Sequence, residues 1–444
     1  MFQISDSPRE IIEVILGYVP NEVLVTLLDI PPVHSIASRW LYSTIRIGGS
    51  FFDVRFEDED EEEIPAESSS VQPTTLISDD PFTALLILHS IPELLENTRC
   101  ELTFDPEGNY SLFVDVYRRT PFPVFALVDF DIAEAKPELG LFKEVAHFTT
   151  NSRCGFRLDV RSLAPTWFPD LKKILTKQVL SREEISILPK QLTHLSCSLS
   201  LDEITNDSAL KLDFPDKLKQ LEISISKNDS SNLNIDISHL HRLHNLTING
   251  AARYASRGDN IIWSLPLLKK LTYDSSLSLA RELNRMCPEL VELCVVQTNS
   301  DCRVPSGFVN NLPCSVTTLL TPPAFLGNDA SKDCDFPIGE DMSEIGSPIH
   351  IRQILPTQLR SLRVAQESPY GVGGVLEFNQ YNLPNLNTFS IANSPDLKIY
   401  GSIPINVTEL TFYESGGHYL HNLESLFHLK SRAIQGILDT KEFS

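Results

Sequence analysis

The chain has 444 residues, 42% of them hydrophobic and 22% charged, a globular composition long enough for one repeat body or several domains. A net charge of −22, from 37 basic and 59 acidic residues, repels phosphate backbones and anionic lipid, so neither nucleic acid nor membrane is an expected partner. The eight cysteines are scattered without a CxxC pair, and no leader-like or bilayer-spanning apolar run is visible; a soluble protein with reduced thiols, cytoplasmic and/or nuclear, is expected.

Residues 1–48 read as three short helices. Ser7, Pro8 and Glu10 have the spacing of a capping box with proline at the first helical position. Ile11, Ile12, Ile15, Leu16 and Val19 then follow as one wide apolar face. Val19-Pro20 breaks the pattern, and Asn21 is placed to cap a second helix carrying Val23, Leu24, Leu27 and Leu28. Pro31-Pro32 breaks it again before a third, with Ile36, Ala37, Trp40 and Leu41. So small a core often leaves apolar surface for a partner.

Residues 49–80 are expected to form a disordered acidic linker, since 53–67 hold nine acids and one arginine. Residues 81–165 contain strand-like runs (CELTF, LFVDVY, PVFALVDF, FRLDV) and are assigned as irregular first repeats.

From residue 166 to 415 one phrase recurs: an apolar residue, usually proline, two spacers, then L-x-x-L-x-I. Its ten copies place their second position at Pro169, Pro189, Pro215, His241, Pro266, Pro288, Pro313, Pro356, Pro384 and Pro404. The intervals run from 20 to 28 residues except one of 43, the range of leucine-rich repeats. The long interval holds the acidic stretch 329–344 and is assigned as an insertion at about 327–350, or as an eroded repeat.

Strand geometry explains the phrase: its last two apolar residues point to one face while the residues between them point to the other. Stacked copies therefore imply a parallel solenoid of α/β class, with a concave sheet and a convex side that mixes helix (SLSLARELNRMCPEL) with extended segments (LKLDF, LNIDI, LKIYG). The concave positions comprise Lys173, His194, Gln220, Asn245, Lys270, Glu292, Thr318, Ser361, Thr388 and Glu409, then Ser196, Glu222, Thr247, Thr272, Arg363, Ser390 and Thr411. They suit a protein ligand and equally describe any solvated sheet face. His194, Gln220, Glu222, Asn245, Lys270 and Arg363 are the candidate substrate contacts. Residues 416–444 are expected to supply a capping helix, through SLFHLKSRAIQGIL, and a tail.

No catalytic constellation stands out, and no metal or cofactor is expected. His239, His241 and His244 lack ligand spacing, His418, His421 and His428 read as helix-surface residues, and Gly371–Gly374 (GVGG) reads as a loop.

The run SPREIIEVILGYVPNEVLVTLL with HSIASRWLYSTIRI resembles the F-box, with Pro8, Glu10, Ile11, Ile15, Leu16, Tyr18, Pro20 and Leu24 on matching positions, and its ending resembles fungal members in particular. Ser7 stands where the family has leucine, and Asp29-Ile30-Pro31-Pro32 interrupts the usual connection between the second and third helices. With repeats behind it, the arrangement resembles F-box/leucine-rich-repeat proteins. The resemblance implies a non-catalytic substrate receptor of an SCF-type ubiquitin ligase, joined through a Skp-type adaptor to a cullin-RING complex and presenting an unknown protein substrate on its repeats. By motif position Pro8, Ile11, Ile12, Ile15, Leu16, Pro20 and Leu24 would meet the adaptor. The same residues could instead pack against the first repeat as a cap, in a scaffold with no ligase link.

Overall fold

The computed structural model describes residues 8–16, 18–48, 74–77, 86, 98–103, 110–120, 123–128, 142–150, 160–163, 168–200, 210–226, 234–250, 260–262, 264–274, 283–296, 311–322, 326, 349–351, 355–365, 374–378, 383–394, 397–415, 418–420 and 431–435. It divides into two compact units, Met1–Gln178 and Val179–Ser444.

The first unit opens with helices α1 (Arg9–Leu16), α2 (Asn21–Leu27) and α3 (His34–Leu41). Each start is set by a backbone carbonyl: Pro8 accepts from the amides of Ile11 and Ile12, Pro20 from Val23 and Leu24, and Val33 from Ile36 and Ala37. Pro20 is therefore the cap of α2 and Asn21 its first helical residue, a correction to the expected asparagine cap. Ser7 lies outside the described residues. Ile12, Leu16, Leu24, Val33, Ile36, Ala37 and Leu41 close one core, with Trp40 and Tyr42 packed against it.

The same unit contains strands β1 (Thr44–Gly48), β2 (Thr74–Ile77), β3 (Arg99–Thr103), β4 (Val124–Val128), β5 (His147–Thr150) and all but the last two residues of β6 (Lys173–Leu180), with helix α4 (Tyr110–Arg119) between β3 and β4. All pair in parallel, in the order β2-β1-β3-β4-β5-β6. Three expectations change here. Residues 74–77 of the expected linker form a strand on β1, with Ile45 opposite Thr74. The run LFVDVY belongs to α4, because parallel neighbours need a crossover and this segment supplies it. The ending of the F-box-like pattern continues as β1, whose Ile45 and Ile47 are buried by strand alternation. Within this unit Tyr117 of α4 meets the Phe142 ring edge-on at 5.0 Å, and Phe142 stacks on Phe168 at 5.6 Å.

In the second unit the strands in chain order are β7 (His194–Ser200), β8 (Leu210–Lys211), β9 (Gln220–Ser226), β10 (Asn234–Asp236), β11 (Asn245–Gly250), β12 (Asn260–Ile262), β13 (Lys270–Asp274), β14 (Glu292–Val296), β15 (Thr318–Thr321), β16 (Ile349–Ile351), β17 (Ser361–Ala365), β18 (Gly374–Phe378), β19 (Thr388–Ser394), β20 (Leu397–Gly401), β21 (Glu409–Ser415), β22 (His418–Leu420) and β23 (Ser431–Gln435). The phrase strands form a parallel main sheet in the order β7-β9-β11-β13-β14-β15-β17-β19-β21-β23. The segments between them form two smaller parallel sheets, β12-β10-β8 and β16-β18-β20-β22, and two short helices, α5 (Arg182–Ser186) and α6 (Leu283–Met286). This is a leucine-rich-repeat solenoid, with both helical and extended connections as the sequence implied.

Every phrase makes the same turn. The first Leu or Val of L-x-x-L donates its amide to the carbonyl three residues earlier, as Leu218 does to Pro215 at 3.2 Å and Val407 to Pro404 at 3.1 Å. The next two amides then share one carbonyl of the preceding copy: His244 and Asn245 both donate to Lys219, and Lys269 and Lys270 both donate to His244. The step continues through Lys269, Val291, Thr317, Arg360 and Asn387, at 2.7 to 3.1 Å throughout. Proline suits the lead-in because its missing N–H is not needed there.

The ladder then stays in register. Leu195, Leu221, Leu246, Leu271, Leu293, Leu319, Leu362, Phe389 and Leu410 occupy successive rungs and are buried. The 43-residue interval leaves this ladder intact, since Leu319 pairs with Leu362 across it. Within it Ile349–Ile351 form β16, so the expected insertion at about 327–350 ends in a strand of the small sheet; residues 327–348 lie outside the described set. Phe378 of that sheet meets Phe389 of the main sheet at 4.6 Å, and Phe389 meets Phe412 at 5.9 Å, so aromatic rings fill the core at these turns.

Two further expectations are corrected at the C-terminal end. Ser431–Gln435 is a strand paired with β21, not part of a capping helix, and Ile434 stands opposite Phe412. Short apolar runs fit either period, and the available neighbouring strand decides. His418 lies in β22 for the same reason, while His421 and His428 fall outside the described residues. Gly374 of the GVGG run begins β18, and its other glycines lie outside the described residues.

Leu246 lies between Leu221 and Leu271 with no exposure, so Leu246→Ala is expected to cost about 2–5 kcal/mol, whereas Thr247→Ala stays within about 0.5. Urea midpoints measure both. Gly401→Ala should lower stability by more than about 1 kcal/mol, because φ is +94° and an added Cβ would strike the Phe378 carbonyl.

Candidate interaction surfaces

Two surfaces carry the predicted site residues, one in each unit. In the first, the structure divides the seven adaptor candidates. Ile12, Leu16 and Leu24 are buried in the helical core, so they hold the module together and are not free to meet a partner, a correction to their expected role. Pro8, Ile11, Ile15 and Pro20 are exposed. Ile11 and Ile15 are 51% and 56% exposed, and Val14 and Tyr18 stand beside them at 63% and 82%. These four follow one another at offsets 0, 3, 4 and 7, one face of a helix and its first following turn. Val23, Val25 and Ile30 add further exposed apolar area in the same module. Val14 and Tyr18 were absent from the expected contact set, although their spacing was legible; without a structure, the apolar residues of α1 merge into one wide face. Glu13 accepts from Arg39 at 3.0 Å, joining α1 to α3 across a partly exposed pair.

In the second unit, the open face of the main sheet presents the residues expected on the concave side. His194, Gln220, Asn245 and Lys270 occupy four consecutive rungs of one column, and Ser196, Glu222, Thr247 and Thr272 form the next. Gln220 and Lys270 are exposed; His194, Glu222 and Asn245 are half-buried. Lys270 pairs with Glu292 at 2.6 Å, and Thr388 donates to Glu409 at 3.1 Å. Arg363 stands apart from the other candidates, three rungs beyond Lys270, between Leu320 and Ser390. Its Nε is buried without a hydrogen-bond partner among the described residues. The rungs thus bring five candidates together and leave the sixth separate. Their chemistry is neutral or mixed in charge, with hydroxyls between, suited to a protein surface.

The histidines of HLHRLH take backbone partners. His239 Nε2 lies 3.3 Å from the Phe214 carbonyl and His244 Nδ1 2.7 Å from that of Arg242, while His241 is exposed. Among the described residues, no group of three or more His, Cys, Asp or Glu is placed to hold a metal ion. No described helix is long and apolar enough to cross a membrane.

No family model matches the sequence, and no curated protein matches it. Among solved structures, the chain is similar to CroV588, described as a novel circular LRR protein structure, at 14% identity with a TM-score of 0.31. The match covers 77% of this chain and 53% of that one, so the chain spans about half the length of the protein it matches.

The described cysteines differ sharply in access. Burial pushes the thiols of Cys100, Cys197 and Cys287 up to about 12, with Glu101 and Glu222 adding to the effect at the first two. Cys294 is half-buried on the open face and Cys314 is exposed on a turn. Among the described cysteines, iodoacetamide applied to the folded chain should therefore modify Cys314 first and spare Cys100, Cys197 and Cys287 until denaturant is added, as peptide mapping would read. The three buried thiols hold their protons to about 12 when folded, against 9.0 for the ordinary group. The unfolded chain loses those protons first, so stability contributed here is present below pH 9 and falls as pH rises towards 12.

Proposed function

We propose that this chain is the substrate-recognition subunit of an SCF-type ubiquitin ligase, an F-box/leucine-rich-repeat protein of fungal type. Its N-terminal helices dock on a Skp-type adaptor, which links it to a cullin-RING complex, and its repeats present a protein substrate. The observation that carries the reading is the exposed apolar stripe of Ile11, Val14, Ile15 and Tyr18 on a module whose core is already closed by Ile12, Leu16 and Leu24. Apolar side chains left in water on a small helical module favour a protein partner, because burial releases about 25 cal/mol per Å² of apolar surface. The F-box resemblance names the class of that partner. The solenoid supports the second half of the reading: an extended, in-register face of mixed polarity suits a folded protein or peptide. In this reading the chain supplies no catalytic group; conjugation chemistry belongs to the associated ligase machinery, and the protein works in the cytoplasm and/or nucleus.

The same stripe also favours a second reading, a leucine-rich-repeat scaffold or an F-box protein acting outside ubiquitination, whose helices dock on some other body. Co-purification decides between them. The intact chain should retain the Skp-type adaptor, and Ile11→Asp/Ile15→Asp should abolish retention while leaving the thermal transition unchanged, since both positions are solvent-facing. Ile405→Asp, at an exposed position on the solenoid, should leave binding unaffected. An intact chain that leaves the adaptor in the flow-through would end the ligase reading.

A further inference from the structure

We infer that the turn edge of the solenoid leading into β9 and β11 is a docking edge for an acidic, carboxylate-rich segment of a partner protein. The inference rests on the repeats as the protein-binding surface and is independent of adaptor docking.

The register builds the edge. Lys217 and Arg242 each stand immediately before the first buried leucine of their phrase, Leu218 and Leu243, and Lys219 and His244 immediately after it. Because the Lys219 carbonyl accepts the amides of His244 and Asn245, the two turns stack as adjacent rungs about 4.8 Å apart. Four basic side chains therefore share a small array, and His241 is exposed beside Arg242.

Lys217, Lys219 and Arg242 are all exposed, and no carboxylate lies within ion-pairing distance of them among the described residues. The next turn is different. Lys269 pairs with Glu289 at 2.6 Å and Lys270 with Glu292 at 2.6 Å, so the same edge neutralises its lysines one rung further along. Asp216 is the acid on the unpaired stretch. Unpaired cations on adjacent rungs repel one another, and in a chain of net charge −22 they form a local field of opposite sign to the whole.

Charge complementarity then selects the occupant. Carboxylates can meet the three cations one by one, and the chain can continue onto the open face, where the Gln220 and Asn245 amides follow on the same strands as neutral hydrogen-bond donors. A long phosphate backbone fits less well, because its further charges would run into the acidic field of the rest of the protein.

The test is fluorescence anisotropy of the full chain with a labelled peptide alternating Glu and Gly, against Gln-Gly and Lys-Gly peptides of the same length and a single-stranded oligonucleotide of equal charge. The Glu peptide should bind at low salt and lose affinity as salt rises, and the others should not bind. Lys217→Glu/Lys219→Glu/Arg242→Glu should weaken the Glu peptide by at least about tenfold. The milder Lys219→Gln should weaken it partially, with the circular dichroism melt unchanged in both variants. Arg360→Glu, on a distant rung of the same edge, should change nothing. Ile11→Asp/Ile15→Asp should bind the peptide as the parent does, so loss of the adaptor alone would leave this edge standing. Equal binding by the parent and the triple variant, no binding of the Glu peptide, or tighter binding of the oligonucleotide would overturn the inference.

Discussion

The whole second unit depends on one backbone device: a carbonyl at the end of each turn that accepts two successive amides from the next copy. Thr193, Lys219, His244, Lys269, Val291, Thr317, Arg360 and Asn387 all play this part. Because side chains alternate along a strand, slipping one rung by a single residue would turn Leu246 or Leu271 out to solvent and bring Thr247 or Thr272 into the core. The shared carbonyl and the leucine ladder therefore enforce each other. The turn sets where each strand begins, and burial penalises any other start. This is also why a 43-residue interval can be absorbed between Pro313 and Pro356 without disturbing the face that a partner would meet.

The solenoid was legible because its period is written by buried residues. A leucine at each of two positions three apart is a demand of the core, repeated for each rung, and so were the open-face columns that follow from it by alternation. What escaped were elements defined by a distant neighbour. Thr74–Ile77 is polar enough to read as linker until β1 offers it an edge, and Tyr110–Arg119 holds strand-favouring Val114 and Val116 yet becomes the helix between two parallel strands. Ser431–Gln435 places Arg432 on the rung where other copies carry leucine, next to Leu410, which hid the last phrase from a search for apolar spacing. Parallel pairing is a non-local interaction, and local pattern is a poor guide wherever the core does not dictate the sequence.

At the N-terminus the limit was different in kind. Helix α1 is apolar over more of its circumference than its own core requires. A helical wheel says only that Ile11, Ile12, Ile15 and Leu16 lie close together; it cannot say which half the module consumes. The packing does: Ile12 and Leu16 face Leu24, Val33, Ile36 and Leu41, and the other half is left to solvent. A motif match by position mixes residues that make the fold with residues that could make a contact, and only burial separates them.

The ion pairs of the turn edge contribute little to folding. Lys269–Glu289 and Lys270–Glu292 are each close to half exposed, and exposed pairs contribute between nothing and about 1 kcal/mol. Leaving Lys217, Lys219 and Arg242 unpaired therefore costs the folded state little, and pairing them would add little. Stability places almost no constraint on which rungs are neutralised. What the arrangement does change is the potential a partner meets: neutral from β13 to β14, positive at the turns before β9 and β11, and negative for the chain as a whole. On a surface whose backbone repeats with a fixed register, such charge differences are what distinguish one rung from the next, and they are the basis on which the proposed acidic partner would select its place along the ladder.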